Sequence, residues 1–250
     1  MEKGISRAVI LMGVLLALGM SSAAFILGNQ ARGIGSGRQS ITVKGLAEKP
    51  VKADHAEWNI GVQARGQTFA EALAKLRKER PLLLEFLARQ GFEKEFIAEM
   101  TESVTPNMVE EELPNNRSRI VQKGFNASQG FVVTTKDLAR ASAAAKAALQ
   151  LEAEGSPVFY SAPTYLVSDL EEIKMSLIGA ATQNAQKRAE EFAKNGNAKV
   201  GSMRSASQGA FYILAPGHQQ EATEYGGTYD KTTMDKIARV VVTIEYNIEK

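Results

Sequence analysis

The 250-residue chain contains no cysteine. That absence excludes a disulfide framework, a cysteine nucleophile, a thiolate zinc site and an iron–sulfur cluster. Histidine is almost as scarce, with only His55 and His218. Few side chains are therefore available for metal ligation or for proton transfer near neutrality. Charge of one sign is also lacking. The formal net charge is +2, yet residues 1–40 hold four bases (Lys3, Arg7, Arg32, Arg38) against Glu2 alone, leaving 26 basic and 27 acidic residues over 41–250. The body of the chain is not a polyanion binder, and no nucleic-acid partner is expected. What is present is ordinary: 44% apolar residues, enough to bury a core, in a length that suits one large domain or a domain with extensions.

Lys3 and Arg7 precede an uncharged run of 20 residues, Ala8 to Leu27. As a helix such a run spans about 30 Å, the hydrocarbon thickness of a bilayer. Ser22-Ala23-Ala24 offers a small-residue cleavage site, but Phe25, Ile26 and Leu27 continue the run beyond it. Two readings stay open: a single-pass inner-membrane anchor with the body in the periplasm, or a cleaved signal releasing a soluble periplasmic protein. Gly28–Ser40 is polar and glycine-rich. Its Gly33-x-Gly35-x-Gly37 follows no strand and opens no helix, so it reads as tether rather than phosphate loop. The expected organisation is an anchor or signal over 1–28, a linker over 29–40 and one domain over 41–250.

Within the body, a strand opens at Ile41 and is expected to be interrupted by Pro50. Ala56, Trp58, Ile60, Val62 and Ala64 alternate with polar residues or glycine, the pattern of a half-buried strand. Thr68-x-x-Glu71 is a capping box opening a helix that Pro81 should kink or split and Gly91 should end. A strand near Phe96–Val104 should stop at Pro106, leaving Asn107–Asn116 as a solvated tip carrying Glu110-Glu111-Glu112. A long strand then covers Arg119–Thr135. An alanine-rich helix over Asp137–Leu151, a strand over Val158–Val167, and a third helix with the stripe Leu170, Ile173, Leu177, Ala181, Ala185, Ala189 and Phe192 follow. Strands near Val200–Leu214 and Ile237–Ile248 finish the chain, flanking an aperiodic Ala215–Asp235 arm. From Ala56 to Val167 the order is β-α-β-β-α-β. The expected fold class is α+β, a split β-α-β (ferredoxin-like order) antiparallel sheet with helices on one face, plus a C-terminal helix and strands.

Several fragments in this order resemble the SIMPL-domain family of exported bacterial proteins. They are Ile41-Thr-Val43-x-Gly45, Val51-x-Ala53-Asp54-x-Ala56, Gly91-Phe92 followed by Phe96-Ile97, Thr101 and Thr105-Pro106, then Phe125-Asn126-Ala127-Ser128-Gln129. Asn184-Ala185-x2-Arg188-Ala189-x3-Ala193 with Gly196 and Val200-Gly201, and Val240-x-Val242-x-Ile244-x-Tyr246, complete the set. The resemblance implies the α+β fold just described, a function not established, self-assembly in some members into channel-like rings, an envelope or stress-protection role, and no catalytic motif to carry over.

The residues themselves offer little chemistry. Asp54 and His55 are adjacent, but neighbours on a strand point to opposite faces, so a surface role is expected rather than a working pair. His218, with Glu221, Glu224 and Asp230, is the alternative centre for a hydrolase or metal-dependent enzyme. Glu110-Glu111-Glu112 lacks the alternating ligands and glycine of a calcium loop. Lys75, Arg77, Lys78 and Arg80 are interleaved with Glu71, Glu79 and Glu85 as a solvated helix face. No catalytic, cofactor-binding or metal residues are predicted. The expected protein has no cofactor and is no enzyme; it contacts the membrane through its N-terminal helix and works by homo-oligomerisation and binding in the cell envelope, with a ring-shaped channel as a further alternative.

Overall fold

The computed structural model describes residues 12–13, 15–27, 39–114, 117–217 and 227–249. Residues 15–27 form helix α1, with exposed side chains throughout. Among the described residues no helix is long and apolar enough to cross a membrane. Residues 8–11 and 14 of the apolar run, residue 28, and 29–38 of the expected linker lie outside the described set.

The elements that follow are β1 (Ser40–Lys52), β2 (His55–Gly66), α2 (Phe69–Arg89), a 3-10 turn (Lys94–Phe96), β3 (Ile97–Glu99), β4 (Ser103–Leu113) and β5 (Arg117–Thr135). Then come α3 (Leu138–Ala153), β6 (Val158–Tyr160), β7 (Thr164–Leu166), α4 (Leu170–Asn195), β8 (Lys199–Leu214) and β9 (Asp235–Glu249). The architecture is mixed α+β. The chain divides into unit 1, residues 1–47, 177–209 and 240–250, and unit 2, residues 48–176 and 210–239.

Unit 2 carries a sheet in the order β3-β5-β2-β6, with β4 added on β5 and β7 on β2. All of its pairings are antiparallel. The alternation of β2 works as the sequence predicts: Ala56, Trp58, Ile60 and Val62 are buried. Ala127, Phe131 and Val133 of β5, Ala72, Leu76, Leu83 and Leu87 of α2, and Ala144 and Ala148 of α3 complete the same core. The small alanines let α3 sit close to the sheet. Thr68 caps α2 by accepting from the Glu71 N–H at 3.2 Å, while Glu71 accepts from the Gln67 N–H at 2.8 Å. Gly91 ends the helix at φ +82.

Pro81 neither splits nor ends α2, which runs through it. Two other prolines overturn expectations in a related way. β1 continues through Pro50 and β4 through Pro106. Both strands lie at a sheet edge, where an absent N–H can face solvent without breaking a ladder. The expected loop 107–116 is thus mostly strand, and Glu110, Glu111 and Glu112 pair with Ile120, Arg119 and Ser118. At Pro106/Met108 the register shifts, β5 spending one residue more than β4. Gly124 provides that bulge at φ +79, where an added Cβ would come within 2.3 Å of the Gly66 carbonyl oxygen. The expected strand over Val158–Val167 is two short strands, β6 and β7, with Pro163 in the gap.

Unit 1 contains residues 40–47, 240–249 and 199–209 of the three-stranded sheet β1-β9-β8, and residues 177–195 of α4. Val240, Val242, Ile244 and Tyr246 form the buried row of β9. The buried stripe of α4 is Leu177, Ala181, Ala185, Ala189 and Ala193, and Phe192, expected in it, is 63% exposed. The spacing of four from Ala181 onward simply continues to Ala193. At Gly45 a Cβ would lie 2.0 Å from the Ala181 carbonyl oxygen and 2.9 Å from the Ala185 Cβ, so only glycine permits this approach of helix to strand. The Leu46 N–H donates to Asn184 Oδ1 at 3.1 Å, and Arg188 donates to the Lys44 carbonyl at 3.0 Å. Asn197, at φ 52, is the left-handed residue closing α4.

Candidate functional site

Unit 2 holds a cleft of about 760 Å³ lined by Asp54, His55, Phe92, Phe96, Lys136, Arg140 and Ser168 among others. Asp54 belongs to the connection before β2 rather than to a strand. The alternation that would separate it from His55 therefore does not apply, and the expectation of two divergent side chains is corrected. His55 Nδ1 lies 2.5 Å from Asp54 Oδ1. Ser168 joins them: its N–H donates to Asp54 Oδ2 and its hydroxyl to Oδ1, both at 2.9 Å, with Oγ also 3.2 Å from His55 Nδ1. Burial acts to raise the Asp54 carboxyl, but the bonds from His55 and Ser168 outweigh it and hold its pKa below the ordinary carboxylate value.

Aspartate, histidine and serine are thus together, yet not as a hydrolytic triad. A triad places the acid at one ring nitrogen and the hydroxyl at the other. Here both approach Nδ1. While that nitrogen donates to Asp54 it cannot accept the Ser168 proton. What the cluster does is join the start of β2 to the start of α4. Arg140 does similar work across the cleft, donating to the Gly91 carbonyl at 2.9 Å and pairing with Asp137, the N-cap of α3, at 3.4 Å. No signal in the sequence links Ser168 to His55, 113 positions away.

His218, Glu221 and Glu224 lie outside the described residues. Asp230 is described, and its carboxylate is occupied. It accepts from the Thr232 N–H at 3.0 Å, the Thr232 hydroxyl at 2.7 Å, the Thr233 N–H at 3.2 Å, the Thr233 hydroxyl, and Lys236 Nζ at 3.3 Å. Burial opposes ionisation, but the hydroxyl and amide donors of Thr233 and Thr232, with Lys236, depress its pKa strongly. The Lys236 side chain is fully buried; its ammonium also donates to the Asp230 carbonyl at 2.6 Å and lies 5.8 Å from the Tyr229 ring centroid. Among the described residues no group of three or more His, Asp or Glu side chains could hold a metal ion.

The second candidate is a surface. Beyond the Gly124 bulge, β4 and the first residues of β5 continue as a two-stranded ribbon. On one of its faces Met108, Glu110, Glu112, Ser118, Ile120 and Gln122 are all exposed, Met108 at 58% and Ile120 at 70%. On the other, Val109 and Val121 are half-buried and Glu111 pairs with Arg119 at 3.1 Å and Lys123 at 2.8 Å. Hydrogen bonds from Lys123 and Arg119 lower the Glu111 pKa.

Fold and sites together define a mixed α+β protein that joins a packed core to an open β-ribbon. The chain belongs to the SIMPL family, described as a protein of unknown function (DUF541), which it matches over residues 41–245. The Gly45, Asn184 and Arg188 contacts account physically for two of the fragments that carry the resemblance. A search of curated proteins finds no match.

Proposed function

We propose that this SIMPL-family protein is exported to the periplasm, where it works by self-association and binding rather than by turnover, with the N-terminal apolar segment serving as anchor or as cleaved signal. The observation that carries the reading is the β4/β5 ribbon. Two-stranded ribbons are marginal alone in water, and this one exposes Met108 and Ile120 on the same face. Among the described residues the outer edge of β4 has no strand paired to it, an edge along which another chain can pair. The same-nitrogen arrangement of Asp54, Ser168 and His55 supports a structural role for the cleft. The order β3-β5-β2-β6 supports reading unit 2 as a split β-α-β arrangement.

Light scattering on the purified chain tests the proposal. A mass above that of the monomer is expected, together with a shift toward monomer when Ile120→Arg and Met108→Glu are combined. A strictly monomeric chain at micromolar concentration, or an assembly indifferent to both substitutions, would sink it. Mass spectrometry of the envelope fraction reads the N-terminus: a mature chain beginning at Phe25 means a cleaved signal, and an intact one means an anchor.

A further inference from the structure

The two faces of the β4/β5 ribbon carry opposite charge. Directly opposed residues of an antiparallel pair share a face, so Met108 stands with Gln122, Glu110 with Ile120 and Glu112 with Ser118. Both acids of that face are exposed, the face holds no Lys or Arg, and among the described residues neither acid has a base as partner. The opposite face holds Glu111 together with Arg117, Arg119 and Lys123. Three bases against one acid leave a surplus of two cations, and Arg117 has no carboxylate partner among the described residues. The ribbon as a whole is therefore neutral. The sign a partner meets depends on which face it approaches.

That separation discriminates between the ways in which two copies can meet. Two acidic faces in contact set four carboxylates against one another, and two basic faces bring four surplus cations together. Like charges so placed oppose association. The acidic face of one copy against the basic face of another brings two carboxylates to two surplus cations instead. The same contact covers the exposed Met108 and Ile120 and supplies Val109 and Val121, half-buried on the basic face, as apolar counterparts.

We propose that the acidic face of the ribbon takes the basic face of the ribbon of a second copy, a head-to-tail contact in which the two partners use different surfaces. This pairing rests on the self-association proposed above and specifies which surfaces meet.

The test is charge reversal in the full chain, read by sedimentation equilibrium. Glu110→Lys with Glu112→Lys makes both faces basic, and Arg117→Glu with Arg119→Glu makes both acidic. Each of these chains alone should associate at least about tenfold more weakly than the wild type. An equimolar mixture of the two should recover association, and so should one chain carrying all four substitutions, because each again offers faces of opposite sign. Arg117→Glu alone leaves both ion pairs of Glu111 in place. It should show a smaller loss in the same direction, which keeps the pairing testable if the double reversal disturbs the ribbon. A wild-type chain that stays monomeric would sink self-association itself. A wild type that associates but is indifferent to either reversal, or reversals that neither the mixture nor the four-site chain repairs, would overturn the pairing and leave the ribbon reading standing.

Discussion

The two halves of β5 differ in everything except their hydrogen-bond ladder. From Asn126 to Thr135 the strand is central, with β2 on one side and β3 or β4 on the other, and Ala127, Phe131 and Val133 are fully buried. From Arg117 to Lys123 its only strand partner among the described residues is β4, and its side chains are exposed except for the half-buried Val121. The inner half draws its stability from the core. The outer half has only cross-strand pairs, each contributing a few tenths of a kcal/mol to about 1 kcal/mol. This weakly supported but regularly paired segment is the one on which the proposed self-association relies.

Substitutions at different points should separate the halves by size of effect. Phe131→Ala removes a fully buried ring and should cost about 3–5 kcal/mol in urea denaturation. A loss comparable to that of a surface change would mean the inner half is not core. Asp54→Asn comes next, at about 1 kcal/mol, because the carboxylate it replaces is partly exposed although it accepts from Ser168 twice. Its effect should depend on pH. The folded-state pKa of Asp54 is depressed, so its contribution is complete above the unfolded value near 4 and fades as pH falls through the lower native value. The Asn variant should therefore converge on the wild type in acid, and a constant difference across the acid limb would contradict the assignment. Ile120→Ser should change monomer stability by no more than about 0.5 kcal/mol while weakening association measured by sedimentation. Glu111→Gln should be smallest, with no resolvable change in Tm, since both of its ion pairs are solvent-screened.

Much of the inner half, and the helices that cover it, was legible in the residues. The β2 row, the Thr68 cap, the alanine face of α3 and the β9 row each follow from a period or a short motif. Proline misled wherever edge position mattered, because sequence reports the missing N–H at Pro50 and Pro106 but not which side of the strand faces water. The ribbon was hidden for the opposite reason. Charged residues stand on both of its faces, so no apolar alternation marks the strand and Asn107–Asn116 reads as loop. Phe192 read as core through its bulk, although the spacing of four continues to Ala193. The candidate sites were the least legible. Asp54 and His55 were in view, but their pairing depended on a one-residue offset from the strand, and Ser168 is brought to them only by tertiary folding.

The Gly124 bulge carries a consequence for time rather than for structure. A glycine at positive φ, backed by a carbonyl that leaves no room for a side chain, is a joint at which ladder cooperativity can stop. Amide protons of residues 117–123 should then exchange with solvent through opening of the ribbon alone, while those of 127–133 wait for the whole of unit 2 to unfold. One strand would thus keep two clocks, the fast one on the ribbon side of the joint.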